Sequence, residues 1–510
     1  MDRREFLKVS GLGLFGLTMP LGEMQRIVTS LPQRRAVIFF VLDGWPLGDL
    51  KALFEYLKRV RGETSAFEKF CALSNLRCAL QNTSSLSSIV TDSAPAFAAW
   101  ATGSKTINGS LSSLPDGRPL KTIFELAKER GLAVGCVTTT RVTHATPAAW
   151  YSHNPNRDDE DNIAIDALNL EVDVLMGGGL RHFDPQGRKD GRNLLEEFAK
   201  KDYLIVKNKD ELKASMNTKK KILGLFAKSH IPYYIDRINY EPYRITQPSL
   251  VDMTLAALVR LSQEREGFVL QIEAGRIDHA NHANDAFSSL LETLEADLTL
   301  NVVMNYLKTN PQALLIITSD HGTSGYNING TGPEYNQSTE AFLKYRYQKA
   351  SFEFIKPLFK GKSPQEIKDI FEQYTGQSIT NEEAYLIYDK YNNPPSVLSN
   401  NYLYEPEATM GRILAACQTD AKTEKTLVLR GNIGFTSTTH TAEDQLTLIY
   451  ALSRSLKVPA RIDNTDLFYI MCRWLGIYYE NPKMTEEEAK RYIPIVTAEE
   501  WKKHLLLHIA

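Results

Sequence analysis

The chain is predicted to be an α/β protein: a large, mainly parallel central sheet with helices on both faces, carrying a mostly helical insertion. Three observations predict this. Apolar runs of strand length occur at Val37–Leu42, Ala133–Val137, Val172–Met176, Phe268–Ile272 and Ala313–Ile317, and read as buried strands. Helix-period segments lie between them, among them Leu50–Val60, Leu120–Arg130 and Leu250–Gln263, and such alternation implies parallel pairing. From about Tyr326 the sequence turns polar and tyrosine-rich, with Pro364 and Thr380 marking helix starts.

Taken in order, the chain opens on Asp2-Arg3-Arg4-Glu5-Phe6-Leu7-Lys8, followed by the mostly apolar, Gly-rich stretch Val9–Leu21. Paired arginines before such a stretch resemble a twin-arginine export signal, so a periplasmic or otherwise extracytoplasmic location is expected. The apolar run is too short to span a bilayer. No A-x-A site follows it, so cleavage and membrane association stay open. Residues 1–30 are set aside from the fold. The catalytic body is assigned to 35–325 and 425–510, and 326–418 to an inserted helical subdomain. Gly177-Gly178-Gly179 is expected to form a tight turn after its strand, and Leu427–Leu429 and Leu446–Ala451 resume strand character.

Composition excludes several classes. Hydrophobic residues make up 43% and charged residues 24%, enough for a substantial core. A net charge of -2 gives no global field for nucleic acid. The 5 cysteines form no CxxC pair, which argues against a thiolate zinc site; Cys71 and Cys78 are close enough in sequence to bridge.

The polar residues at strand ends decide the reading. Asp43, Glu273 and Asp320-His321 each follow an apolar strand, and the carboxyl ends of parallel strands form the ligand crevice. One aspartate there is usually a turn residue or cap; three sites on separate strands point to a shared centre. In Asp278-His279-Ala-Asn-His282, a helix starting near Ile277 puts Asp278 and His282 at i and i+4, a spacing that suits one borderline cation such as zinc. Ser93, in Thr91-Asp92-Ser93-Ala94-Pro95, precedes a run of small residues that would form a helix. Its N-terminus would favour a phosphate, although a serine or aspartate there is more often a cap.

Together these segments resemble the alkaline phosphatase family, in order over most of the chain outside the leader and the insertion. The carriers are Thr91–Pro95 with Ala99-Trp100-Ala101-Thr102-Gly103, Thr143-His144-Ala145-Thr146-Pro147, His153–Arg157, Met176–Gly179, Glu273…Asp278…His282, Asp320-His321, and Thr436–Thr441. The resemblance implies hydrolysis of small phosphate monoesters through a phosphoserine on Ser93. Asp278, His282 and His440 would hold one zinc. Asp43, Asp320 and His321 would hold a second, with Ser93 as an oxygen ligand. Asp43, Thr146 and Glu273 would hold a third ion, magnesium or, given His144 beside it, zinc. Arg157 would grip phosphate oxygens in a bidentate fork, oriented by Asp92. Two ions so placed clamp the attacking and leaving oxygens. The family often forms homodimers.

The chain departs from the family pattern at Leu42-Asp43-Gly44-Trp45-Pro46, where Gly-Asp-Gly-Met-Gly is usual, and at His144 and His279, where some members carry Asp and Lys. His144 would reach the third ion directly or through water, and His279 would stand behind the ligands. A sulfatase pattern fails because Phe97 stands where arginine is needed. Val41–Trp45 also resembles a cofactor-independent phosphoglycerate mutase, a cytoplasmic enzyme at odds with an export signal. The remaining alternatives are a phosphodiesterase of the same superfamily and an exported phosphate- or metal-binding protein without turnover.

Overall fold

A strand apolar on both faces has to be covered twice, and Ala36–Leu42 (β1) is buried along its whole length. The computed structural model describes residues 17, 19–332, 334–394, 404–415, 418–419, 427–452, 456–494, 497 and 499. Cys417 and the greater part of the leader lie outside the described residues. Around β1 stand β2 (Arg77–Asn82), β3 (Ala133–Arg141), β4 (Val174–Gly178), β5 (Tyr203–Val206), β6 (Lys221–Leu225), β7 (Phe268–Ala274), β8 (Ala313–Thr318), β9 (Gln445–Ala451) and β10 (Arg461–Asp463). They form one 10-stranded sheet in the order β10-β2-β9-β8-β1-β7-β3-β4-β6-β5. Every pairing is parallel except those of β9, which runs against both β8 and β2.

Alternate side chains of β1 feed two cores, as the strand period requires. The helices that matter for the site are α1 (Leu21–Ser30), α2 (Ser93–Thr102), α3 (Leu250–Leu261), α4 (Arg276–His282) and α5 (Ala286–Thr309). Ile38, Phe40 and Leu42 pack with α1, α3 and α5 on one face. Val37, Phe39 and Val41 pack with Phe97 and Trp100 of α2 on the other. The register aligns the strand ends: Val41 lies beside Glu273 and Thr318, and Glu273 beside Thr138.

All the predicted strands are present, with the end of β4 moved into the glycine run. Gly177 and Gly178, expected in a turn, belong to β4. A Cβ on Gly177 would come within 2.7 Å of Thr138 Cγ2, and one on Gly178 within 2.0 Å of the Ser229 carbonyl oxygen, so close approach demands glycine there. Gly179, at φ +96°, makes the turn. Leu446–Ala451 joins the sheet as β9. Leu427–Val428 instead pairs with Gln418–Thr419 in a separate ribbon. The short strands β5 and β6 and the half-exposed edge pair β2 and β10 lack the long apolar runs that reveal the others.

Residues 21–30, set aside with the leader, are in fact part of the folded body. α1 is amphipathic, and its Met24 and Val28, one turn apart, are fully buried against the α3 and α5 layer. Among the described residues no helix is long and apolar enough to cross a membrane.

The 326–418 segment is mostly helical where described. Pro364–Thr375 starts from a capping box of Ser363 with Glu366, and Asn381–Asn392 from one of Thr380 with Glu383. The segment is tied to the body at buried points. Asp236 accepts from the Ser351 amide and hydroxyl, and Asp285 accepts from the Phe352 amide and the Gln348 side chain. Cys71 and Cys78 are both free thiols, so the bridge left open by their spacing is not formed.

Candidate metal centre and nucleophile

The turn after β1 positions the first candidate ligand. Asp43 is buried, and Gly44 follows at φ +62°; a Cβ there would lie 2.4 Å from Asp278 Oδ1. The Gly44 amide donates to Asp320 Oδ1 at 3.1 Å and the Trp45 amide to Ser319 Oγ at 2.9 Å, which ties the β1 turn to the β8 turn. Trp45, a departure from the family pattern, is buried and packs on Phe67 with ring centroids 5.5 Å apart. It thus serves the core while leaving Asp43 in place.

Three imidazoles are oriented with one sense. His282 Nδ1 donates to the Thr438 carbonyl at 2.6 Å, and His440 Nδ1 to the Thr91 carbonyl at 2.9 Å. Thr323 Oγ1 donates to Asp278 Oδ1 at 2.5 Å and therefore accepts from His321 Nδ1 at 3.3 Å. Each ring thus presents the Nε2 lone pair inward. His440 Nε2 lies 3.1 Å from His282 Nε2, His282 Nε2 lies 3.3 Å from Asp278 Oδ2, and His321 Nε2 lies 3.0 Å from Asp320 Oδ2. A lone pair facing a lone pair or a carboxylate needs a cation between them.

The carboxylates make the same demand. Asp43 Oδ1, Glu273 Oε1 and Asp320 Oδ2 are buried without a hydrogen-bond partner. Burial, reinforced by Asp320, Asp278 and Glu273, pushes the Asp43 carboxyl well above the usual range, and burial raises Glu273 as well. Ligand atoms within 4.8 Å of one another form three groups: Asp278 with His321 and His440, Asp43 with Asp320 and His321, and Asp43 with His144 and Glu273. The residues therefore fit divalent metal ions. Thr146 Oγ1 donates to Asp43 Oδ2 at 2.9 Å, beside the last group.

Ser93 opens α2 and is buried; its Oγ lies 3.3 Å from His321 Nε2. The preceding Asp92 caps the helix, accepting from the Ala94 amide at 2.7 Å and the Gly109 amide at 2.6 Å. The same carboxylate accepts from Arg157 Nη1 at 3.1 Å, while Arg157 Nη2 donates to His144 Nε2 at 3.1 Å. Asp92 thus both caps α2 and pairs with Arg157. His279 stays outside the ligand groups. Its Nδ1 accepts from Arg276 Nη1 at 2.8 Å, and burial followed by Arg276 holds the ring well below the usual imidazole range.

Other residues were not legible in the sequence. Tyr404, from the 326–418 segment, stacks on His282 with centroids 5.0 Å apart and planes at 14°. His230, just past β6, lies edge-on to His279 at 4.4 Å and is bound by Arg141 Nη1 at 2.6 Å; Arg141 is in turn paired with buried Glu160.

Residues 34–477 match the family model "Alkaline phosphatase". Alkaline phosphatase 4 of Bacillus subtilis (strain 168) is 33% identical over 384 residues, 74% of this chain and 75% of that protein. The crystal structure of Thermus thermophilus alkaline phosphatase superposes with a TM-score of 0.83 at 39% identity, covering 93% of this chain and 99% of that one. A cold-active alkaline phosphatase from the psychrophile Shewanella sp. gives 0.69 at 28% identity, covering 86% and 99%.

Proposed function

The chain belongs to the alkaline phosphatase family, metal-dependent hydrolases of phosphate monoesters, and on that premise we propose that its hydrolysis runs through a phosphoryl group carried by Ser93. The observation that carries this reading is the inward set of Nε2 atoms on His282, His321 and His440, with Ser93 Oγ beside one of them. Asp278, His282 and His440 would hold one zinc, and Asp43, Asp320 and His321 a second, to which Ser93 is adjacent. Asp43, Glu273 and Thr146 would hold a third ion, with His144 beside it, reaching it directly or through water. Its oxygen donors suit magnesium, and the His144 nitrogen makes zinc the competitor. Bound there, such ions neutralise phosphoryl charge and favour the alkoxide of a nearby hydroxyl.

The chain supplies the rest. α2 turns the positive end of its dipole toward the phosphoryl group, although its Ala94 amide is taken by Asp92 and Pro95 has none to give. Arg157, held between Asp92 and His144, is preorganised to fork two phosphate oxygens. His321 is fixed through Nδ1 by Thr323 with Nε2 turned toward Asp320, so it would act as a ligand rather than a mobile base for Ser93. Ser93 Oγ attacks phosphorus as the ester oxygen leaves, and water then cleaves the O–P bond to Ser93, releasing inorganic phosphate.

Export by the twin-arginine route rests on Arg3-Arg4 and the apolar stretch after them. Any leader processing falls ahead of Leu21, since Met24 and Val28 of α1 are core residues. Metal analysis of the purified protein, paired with hydrolysis of p-nitrophenyl phosphate and of its bis ester, tests the reading. Zinc with preference for the monoester supports it; preference for the diester would replace it with a phosphodiesterase.

A further inference from the structure

The opposite end of the sheet carries a second concentration of charge. Residues just before β1, β3, β7 and β8 line a cavity of about 480 Å³: Arg34, Arg35, Arg130, Arg265, Glu266 and Gln312, together with Leu475. Among the described residues none of the four arginines is in an ion pair, in a chain whose net charge is -2. Two are preorganised by backbone: Arg34 Nε donates to the Ser262 carbonyl at 3.1 Å, and Arg35 Nη1 to the Leu475 carbonyl at 3.3 Å. Glu266 is the one carboxylate in the lining, which leaves a local excess of positive charge. Four arginines along one cavity with a single carboxylate favour an anion between them, and their planar forks match phosphoryl oxygens.

We propose that this cavity binds a soluble oligophosphate, a small anion carrying roughly three or four negative charges, which would balance the lining. The ligand is not a substrate in place. β1 separates the cavity from Asp43 by its 7 residues, about 23 Å at about 3.3 Å per residue, so nothing held there reaches Ser93. The volume falls within the range of small-molecule sites.

The test uses the metal-loaded protein with orthovanadate added until p-nitrophenyl phosphate turnover stops, so that the catalytic centre is filled. A methylene-bridged triphosphate analogue, which resists hydrolysis, is then titrated calorimetrically. One further anion should bind, more weakly as salt is raised. The double variant Arg130→Ala/Arg265→Ala should weaken that binding by about tenfold or more, while uninhibited turnover stays at the wild-type level. Absence of binding beyond the vanadate-filled centre, or equal affinity in the variant, overturns the proposal. So does binding only to phosphatidylglycerol vesicles, which would make the ligand a lipid surface.

Discussion

His282 and His440 point their Nε2 atoms at each other across 3.1 Å, each ring already committed through Nδ1 to a backbone carbonyl. Neither nitrogen has a proton to offer the other, and Asp278 adds a carboxylate to the same space. The arrangement is stable only around a cation. Exhaustive chelation should therefore abolish phosphomonoesterase activity and lower the melting temperature, because buried carboxylates lose their counter-charge. Zinc with magnesium should restore both; a chelated protein with full activity would contradict the metal assignment.

Arg157 makes its contacts through Asp92 and His144 rather than through solvent. Arg157→Ala should raise KM for p-nitrophenyl phosphate by about tenfold or more and weaken inhibition by inorganic phosphate in parallel. Arg157→Lys should recover only part of this, since an ammonium cannot fork. An unchanged phosphate inhibition constant would remove Arg157 from the phosphate site.

Tyr404 lies flat on His282, a contact made by the ring and not by the hydroxyl. Tyr404→Ala should raise the free zinc concentration needed for half-maximal activity by about tenfold or more, the usual cost of loosening a ligand's support. Tyr404→Phe should behave like the wild type. Equal zinc requirements in all three would show that the stack does not orient the ligand.

Asp236 anchors the 326–418 segment through Ser351, and burial pushes its carboxyl up to about 7. A raised folded-state value means that its contribution to stability is full below the ordinary carboxylate range and is lost as pH rises through about 7. Asp236→Asn mimics the protonated form. Its melting temperature should gain on the wild type from about pH 4 to about pH 8, by an equivalent of at most about 4 kcal/mol, then level off. A pH-independent difference would contradict this.

Much of the architecture was legible because β1, β3, β7 and β8 are long and apolar on both faces, a pattern few other structures produce. Asp43, Glu273, Asp320 and His321 were legible for the same reason, as polar residues ending apolar strands. Asp278 and His282 could be read from helical spacing. Ser93 was different: a serine beside an aspartate at a helix start is ordinarily a cap, and Asp92 does cap α2. Only its position opposite ligands from distant strands separates the two roles. α1 was missed because its apolar face continues the composition of the leader before it. Tyr404 was missed because its meeting with His282 is a long-range contact with no sequence period.

Turnover through Ser93 is tested most directly by a chemical measurement. The enzyme is mixed with phosphate-labelled monoester, quenched in acid, digested and mapped by mass spectrometry. One phosphoryl group on Ser93, absent from Ser93→Ala, which retains its zinc but loses most turnover, is the predicted result. No label on Ser93 together with near-wild-type turnover in Ser93→Ala would contradict the account.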